Sequence, residues 1–96
     1  MNQPAPAPIA AQVSLLEFPC SFPIKIMGHA TDDFRSLVLG IVTRHFGPLE
    51  AHRIEERPSA NGKYLSLTCT VYAHSKAELD ALYRELTSCS QVLVAL

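Results

Sequence analysis

The sequence predicts an α+β sandwich whose strands and helices follow the order βαββαβ. Two segments alternate apolar and polar residues with the period of a half-buried strand, and two others carry apolar stripes at helical spacing. Between the second and third strands, an Asn61-Gly62 pair favours a tight hairpin connection. Two helical crossovers around a central hairpin give a four-stranded antiparallel sheet with both helices on one face, which is the ferredoxin-like arrangement.

The first strand and the first helix lie on either side of Gly28. Residues 22–27 are apolar at even positions, and the alternation stops at this glycine. Thr31 can cap a helix, and the two aspartates that follow it suit the positive end of the helix dipole. Gly47-Pro48 then predicts the end of this helix. Its single apolar stripe is formed by Phe34, Leu37, Val38, Ile41, Val42 and His45.

The second half of the chain begins with a segment whose strand pattern is weak, and continues with a clear strand, a helix and a last strand. Residues 49–57 are mixed and charged, and they support a strand mainly because a turn-forming cluster, residues 58–62, follows them. Residues 64–73 alternate clearly as a long strand. Ser75 and Glu78 fit the capping box of a second helix, whose stripe is Leu79, Leu82, Tyr83 and Leu86. A last strand, residues 92–96, is apolar on both faces.

Composition indicates one small domain preceded by a tail. Residues 1–13 are rich in Pro and Ala and predict a disordered tail, which leaves residues 14–96 for the domain. Eight basic and nine acidic residues give a formal charge of −1, which offers no long-range attraction for phosphate backbones or anionic lipid. Three cysteines at wide spacing and no signal-peptide pattern predict free thiols in the cytoplasm, and no apolar run is long enough for a membrane span.

Several blocks of residues also carry a resemblance to a known family. They are residues 15–19 (LLEFP), 25–28 (KIMG), 62–64 (GKY) and 82–83 (LY), together with Phe22, Ser66 and Leu86. On these blocks, and over nearly all of residues 15–96, the chain resembles the YbeD-like family of uncharacterised small bacterial proteins. The resemblance implies a fold similar to the ACT regulatory domain, a ferredoxin-like module that binds amino acids or other small effectors. It implies fold more than function, because this architecture hosts unrelated activities.

The residues that could support catalysis or bind a metal are poorly arranged for either. The four histidines and three cysteines show no C-x-x-C, H-x-x-x-H or H-x-H spacing, so we expect no metal and no cofactor. Asp32 and Asp33 are better explained as helix-capping charges than as an acid and base pair. Cys20 has no evident basic neighbour to lower its pKa. We therefore predict that the protein is not an enzyme, and a small thiol enzyme using Cys20 remains an alternative.

RNA binding on the open sheet face is the alternative from a different functional class. The βαββαβ order is also that of RNA-recognition domains, which stack bases on sheet aromatics. Here the aromatics predicted on that face, Tyr64 and Tyr72, lie about 26 Å apart at ~3.3 Å per strand residue. This separation is too large for stacking neighbouring bases, and the net charge is negative, so nucleic acid is disfavoured.

The favoured function is a regulatory or adaptor module that binds a small metabolite or a partner protein. By analogy with ACT-like modules, the predicted ligand residues are Gly28, His29, Ala30 and Thr31; alternatively, Gly28 merely makes the turn. The predicted partner interface is Val92, Val94 and Leu96, because a strand that is apolar on both faces needs a cover on its second face or edge. A partner chain, a second copy forming a homodimer, or the chain's own Leu15, Leu16 and Phe18 would provide that cover.

Overall fold

The computed structural model describes residues 16–96, and the predicted tail at residues 1–13 lies outside them. Within these residues the elements follow the predicted βαββαβ order. They are β1 (Cys20–His29), α1 (Asp32–Phe46), a short 3₁₀ turn (Ala51–Arg53), β2 (Ile54–Pro58), β3 (Tyr64–Ala73), α2 (Lys76–Ser88) and β4 (Val92–Ala95). No helix in this part of the chain is both long and apolar enough to cross a lipid bilayer.

The four strands form one antiparallel sheet in the order β2-β3-β1-β4. The long strands β1 and β3 are paired at its centre, with Cys20 opposite Ala73 and His29 opposite Tyr64. This leaves β2 and β4 as the two edges. The α+β ferredoxin-like fold class predicted from the sequence is confirmed.

The two faces of the sheet differ as the alternation predicts. One face packs against the apolar stripes of both helices, and together they form the core. The fully buried members of this core are Ile24, Ile26, Leu67, Cys69, Val71 and Ala73 from the sheet, and Phe34, Val38, Val42, Leu79, Leu82 and Leu86 from the helices. The opposite face, which we call the helix-free face, carries Lys25, Met27, Ser66 and Thr68 on its two central strands.

Both helix starts have the predicted caps, with one difference in α2. Thr31 Oγ1 accepts from the Phe34 amide at 3.2 Å, and Ser75 Oγ accepts from the Glu78 amide at the same distance. The Glu78 carboxylate, however, accepts from the amide of His74 at 2.6 Å, one residue before the expected partner. The reciprocal half of the capping box therefore fastens the end of β3 to α2.

The hairpin between β2 and β3 differs from the predicted tight turn. Pro58 belongs to β2 and not to the turn, which an edge strand tolerates because its outer amides need no partner. Gly62 has a positive φ of 71°, whereas Asn61 does not. Asn61 acts instead through its side chain, since Oδ1 accepts from Ser59 Oγ at 2.9 Å and from the Lys63 amide at 3.0 Å. The loop is therefore longer than two residues.

Candidate functional site

Gly28 lies inside β1 and is buried. A Cβ atom at this position would overlap the ring of Phe34 and the carbonyl oxygen of Gln91. The residue is not at a positive φ, so the need for glycine comes from this close packing and not from a turn. On the side where a Cβ atom would lie, the space beside Gly28 is thus filled by Phe34 and the Gln91 carbonyl.

The other three predicted ligand residues are exposed and follow Gly28 toward α1. The Ala30 amide donates to the Lys63 carbonyl at 2.9 Å, and the Thr31 hydroxyl is already used as the cap of α1. His29 lies against Tyr64 with ring centroids 5.2 Å apart. A hollow of about 260 Å³ adjoins this connection, lined by Ala30, Thr31, Asp32, Arg35, Glu56 and Leu65. A ligand site here stays a prediction.

The three residues of the predicted partner interface do not share one environment. Val92 is half-buried and packs against the core. Val94 is opposite Met27, and Leu96 exchanges both backbone hydrogen bonds with Lys25, at 2.8 and 3.0 Å, so both side chains point to the helix-free face.

Leu93, which is not among the predicted interface residues, is also exposed. The exposed fractions are 49% for Leu93, 41% for Val94 and 54% for Leu96. A register irregularity between Met27 and Gly28 breaks the strict alternation of β4 and leaves two consecutive large apolar side chains exposed. Of the predicted intramolecular cover, Leu16 and Phe18 pack against the core cluster, and Leu15 lies outside the described residues.

The two edges of the sheet are chemically opposite. Four consecutive exposed residues of β2 are Glu55, Glu56, Arg57 and Pro58, and charges and prolines are the devices that prevent an edge from pairing with other strands. β4 has no charge, no lysine and no proline. Within residues 16–96, β4 is therefore the edge that lacks these devices.

A shallow trough runs along β3 on the helix-free face. Ser66 lies between Met27 and Arg57 in one row across the sheet, and Thr68 lies between Lys25 and Glu55 in the next row. Two small side chains flanked by four long ones leave a depression along the central strand. Its polar part has a volume of about 280 Å³ and an adjoining apolar part about 150 Å³.

The two tyrosines of β3 lie on the helix-free face, as predicted, but at opposite ends of the strand. Tyr64 contacts His29, and Lys63 Nζ lies 5.6 Å from its ring centroid. Tyr72 is half-exposed and meets His74 edge-on. The rings therefore form two separate pairs and no continuous platform for stacked bases.

The thiols and histidines show no catalytic or metal-binding arrangement in residues 16–96. Cys69 is fully buried, and burial raises the pKa of its thiol to about 11, so it is a poor nucleophile. Cys20 and Cys89 are free and half-buried. The described side chains include no group of three or more His, Cys, Asp or Glu residues placed to hold a metal ion.

One histidine takes part in an ionic cluster that joins the two helices. Glu85 on α2 accepts from Arg44 through both carboxylate oxygens, and Glu85 Oε1 lies 2.8 Å from His45 Nε2. The guanidinium of Arg44, followed by the ring of His45, holds the pKa of Glu85 below its ordinary value. This cluster has an evident structural role, because it fastens α1 to α2 across the helix surface.

The hydroxyl of Tyr83 on α2 is buried. Burial raises the pKa of this phenol to about 12, and the hydroxyl has no hydrogen-bond partner among the described residues. A buried hydroxyl without a partner lowers stability relative to a hydrogen-bonded one.

Comparison with known proteins identifies relatives along most of the chain. The model of the family described as "Protein of unknown function (DUF493)" matches residues 13–96. A UPF0250 protein of Paraburkholderia phymatum is 43% identical over 83 residues, which cover 86% of this chain and 93% of that protein. A UPF0250 protein of Janthinobacterium sp. (strain Marseille) is 51% identical over 75 residues, covering 78% of this chain and 82% of that protein.

Among solved structures, protein HP0495 from H. pylori has a similar fold. Its solution structure matches with a TM-score of 0.66 over 97% of this chain and 98% of the other, at 15% sequence identity. At this identity the similarity bears on the fold alone. The family model and the sequence relatives confirm the resemblance to the YbeD-like proteins: the chain belongs to the DUF493 family of small bacterial UPF0250 proteins, whose function is uncharacterised.

Proposed function

We propose that this protein is a non-catalytic adaptor module that binds a partner protein through the free edge of β4. The observation that carries the proposal is the contrast between the two sheet edges, because one is blocked by charges and Pro58 while the other is neutral and apolar. An extended segment of a partner can add to such an edge as a fifth strand. The three thiols, with no disulfide among them, support a cytoplasmic setting for this binding.

The backbone geometry of β4 supports strand addition. Leu96 directs its N–H and C=O toward Lys25, so the amide of Ala95, one residue earlier, points to the outer side of the strand. The side chains of Leu93, Val94 and Leu96 offer apolar surface beside this edge. A partner segment would therefore gain both main-chain hydrogen bonds and apolar contacts.

The size of the edge favours a partner peptide over a second copy. Four strand residues span only about 13 Å at ~3.3 Å per residue. A stable dimer usually buries at least ~1,200 Å² in total, more than two such short strands supply by pairing with each other. We therefore take the occupant to be an extended apolar segment of another protein.

The test is a selection of extended peptides from a random library on the complete chain. We expect enriched peptides with alternating apolar residues, and amide shifts on binding at residues 93–96. Binding should be lost in Val94→Lys, which places a charge at the edge, and in Ala95→Pro, which removes an outward donor. Glu55→Lys on β2 is the matched control and should bind normally.

Two results would overturn the adaptor proposal. One is that no peptide is enriched over a column without protein. The other is that the enriched peptides bind Val94→Lys as well as wild type, provided that the variant's spectrum remains native. If the wild-type chain dimerises and Val94→Lys does not, the occupant of the β4 edge is a second copy of the chain and not a peptide.

A second candidate function is a regulatory module that binds a small metabolite beside His29, Ala30 and Thr31. The observation in its favour is the hollow next to these residues, where Arg35 and Glu56 form a salt bridge at 3.5 Å. An amide-resolved titration with pooled metabolites, amino acids included, tests it. Shifts confined to residues 29–35 and Glu56 would support this function, and an unchanged spectrum would exclude it for the compounds used.

A further inference from the structure

We propose that the trough on the helix-free face binds a small monocarboxylate with an apolar body. The trough consists of Ser66 and Thr68 on its floor, with Lys25, Met27, Arg57 and Tyr64 around them. The proposal rests on the order of these groups along β3 and does not depend on strand addition at β4.

The polar end of the trough has a net positive charge. It contains Lys25, Arg57 and Glu55, which sum to +1 in a chain whose formal charge is −1. Lys25 forms no salt bridge with any residue from 16 to 96. One monoanionic headgroup would therefore neutralise this end of the trough.

Arg57 is available to such a headgroup in spite of its acidic neighbour. Its Nη2 lies 3.5 Å from Glu55 Oε1, and both side chains are more than two-thirds exposed, at 78% and 68%. Exposed pairs of this kind contribute little stability, so the guanidinium can turn to a carboxylate at small cost. A carboxylate offers two oxygens, one for the planar guanidinium and one for the ammonium of Lys25.

The floor beneath this headgroup supplies hydroxyl donors. Ser66 is only 9% exposed, and its hydroxyl makes no side-chain hydrogen bond within the described residues. Thr68 is half-buried in the adjacent row, opposite both Lys25 and Glu55. These two hydroxyls lie between the cations and can donate to an anion placed over β3.

The apolar end of the trough begins one row further along β3. There Met27, Pro58 and the ring of Tyr64 surround the depression of about 150 Å³. Tyr64 is held from the side by His29, whose ring centroid is 5.2 Å away. The carboxylate and the apolar body of one small molecule can thus be bound at the same time, each by the end of the trough that matches its chemistry.

The experiment is an amide-resolved titration of the complete chain with acetate, butanoate and hexanoate. We expect shifts at Lys25, Met27, Arg57, Ser66 and Thr68, with affinity rising about twofold per added methylene. Full burial of a methylene increases affinity about fourfold, and a shallow trough buries only about half of each methylene. Hexylamine, which has the same chain length and the opposite charge, should not shift these amides.

Variants test the groups that would hold the carboxylate. Lys25→Gln should weaken hexanoate binding about fivefold to tenfold and leave the melting temperature nearly unchanged. Ser66→Val removes the hydroxyl, fills the floor and should abolish binding. Lys76→Gln, which removes the same charge on α2, is the matched control and should bind hexanoate as wild type does.

Three results would overturn the monocarboxylate site. They are an unchanged spectrum with all three acids, equal shifts with hexanoate and hexylamine, and hexanoate binding that Lys25→Gln does not weaken. Shifts confined to residues 93–96 or to residues 29–35 would also contradict this site, and would locate small-molecule binding at the β4 edge or at the β1–α1 connection instead.

Discussion

Replacing Gly28 by alanine should destabilise the domain by about 3 kcal/mol. The added methyl would overlap two groups, the Phe34 ring and the Gln91 carbonyl oxygen. Phe34 is only 1% exposed, so its ring has little room to move, and a backbone carbonyl cannot rotate away as a side chain can. Overpacking of a core usually costs about 1–3 kcal/mol, and two immobile obstacles place Gly28→Ala at the upper end of that range.

Thermal unfolding monitored by circular dichroism measures this loss. For a domain of this size, 1 kcal/mol corresponds to roughly 4–8 °C, so the expected decrease in Tm is about 12–24 °C. Gly40→Ala is the matched control, since the residue is inside α1 and, among residues 16–96, no atom beyond its chain neighbours and the adjacent helix backbone lies within 4 Å of the added methyl. Alanine's higher helix propensity should stabilise that variant by about 1 kcal/mol.

A double variant tests whether Phe34 is the obstacle. Phe34→Leu alone should destabilise the core, but it should make Gly28→Ala less costly, so that the two effects are clearly non-additive. If Gly28→Ala proved neutral or stabilising, as Gly40→Ala should be, the packing argument would be refuted. The space beside Gly28 would then be open, as the predicted ligand approach requires.

Three further predictions concern the sheet faces, the helix cluster and the thiols. Leu67→Asp, which puts a charge into the core, should unfold the domain, whereas Thr68→Asp on the helix-free face should be mild; similar losses of Tm would show that the faces are misassigned. Because the pKa of Glu85 is lowered in the folded state, its ion cluster stabilises the fold above the ordinary carboxyl pKa of 4.5, and this stabilisation is lost as the pH falls below that value. Urea unfolding of Glu85→Gln should therefore show a weaker pH dependence in that range than wild type, and identical profiles would contradict the cluster's role. A thiol reagent at pH 8 should modify Cys20 and Cys89 well before Cys69, whose raised pKa and burial protect it until unfolding, and equal rates would contradict its burial.

Local patterns were sufficient to predict most of the fold. The stripe of α1, the bounds of β3 and the caps at Thr31 and Ser75 depend on neighbours within a few residues, and the structure confirms them. Pro58 was predicted to lie in the turn. It is acceptable in β2 only because β2 is an edge strand, and the position of a strand in the sheet cannot be read from neighbouring residues. The exposure of Leu93 likewise depends on an irregularity in the pairing of β1 with β4, which the alternation of residues within β4 does not reveal.

The candidate sites were less accessible to prediction because they depend on register. Lys25 and Arg57 are 32 positions apart in the sequence, and only the pairing of β1 and β2 with β3 places both beside Ser66 and Thr68. Gly28 was predicted to let a ligand approach the backbone, and this stays a prediction. What approaches it is Phe34, six residues later, which a helical stripe identifies as a core residue but does not place against a particular strand position.

The unequal edges of the sheet also limit how far any assembly can grow. A strand added to β4 extends the sheet on one side only, because the opposite boundary at β2 carries charges and Pro58. Even two copies joined through β4 would expose only their β2 strands, so the combined sheet would have no unguarded boundary left. In such a pair of copies, pairing at β4 therefore terminates after one addition, which favours a complex of fixed stoichiometry over an open-ended fibre.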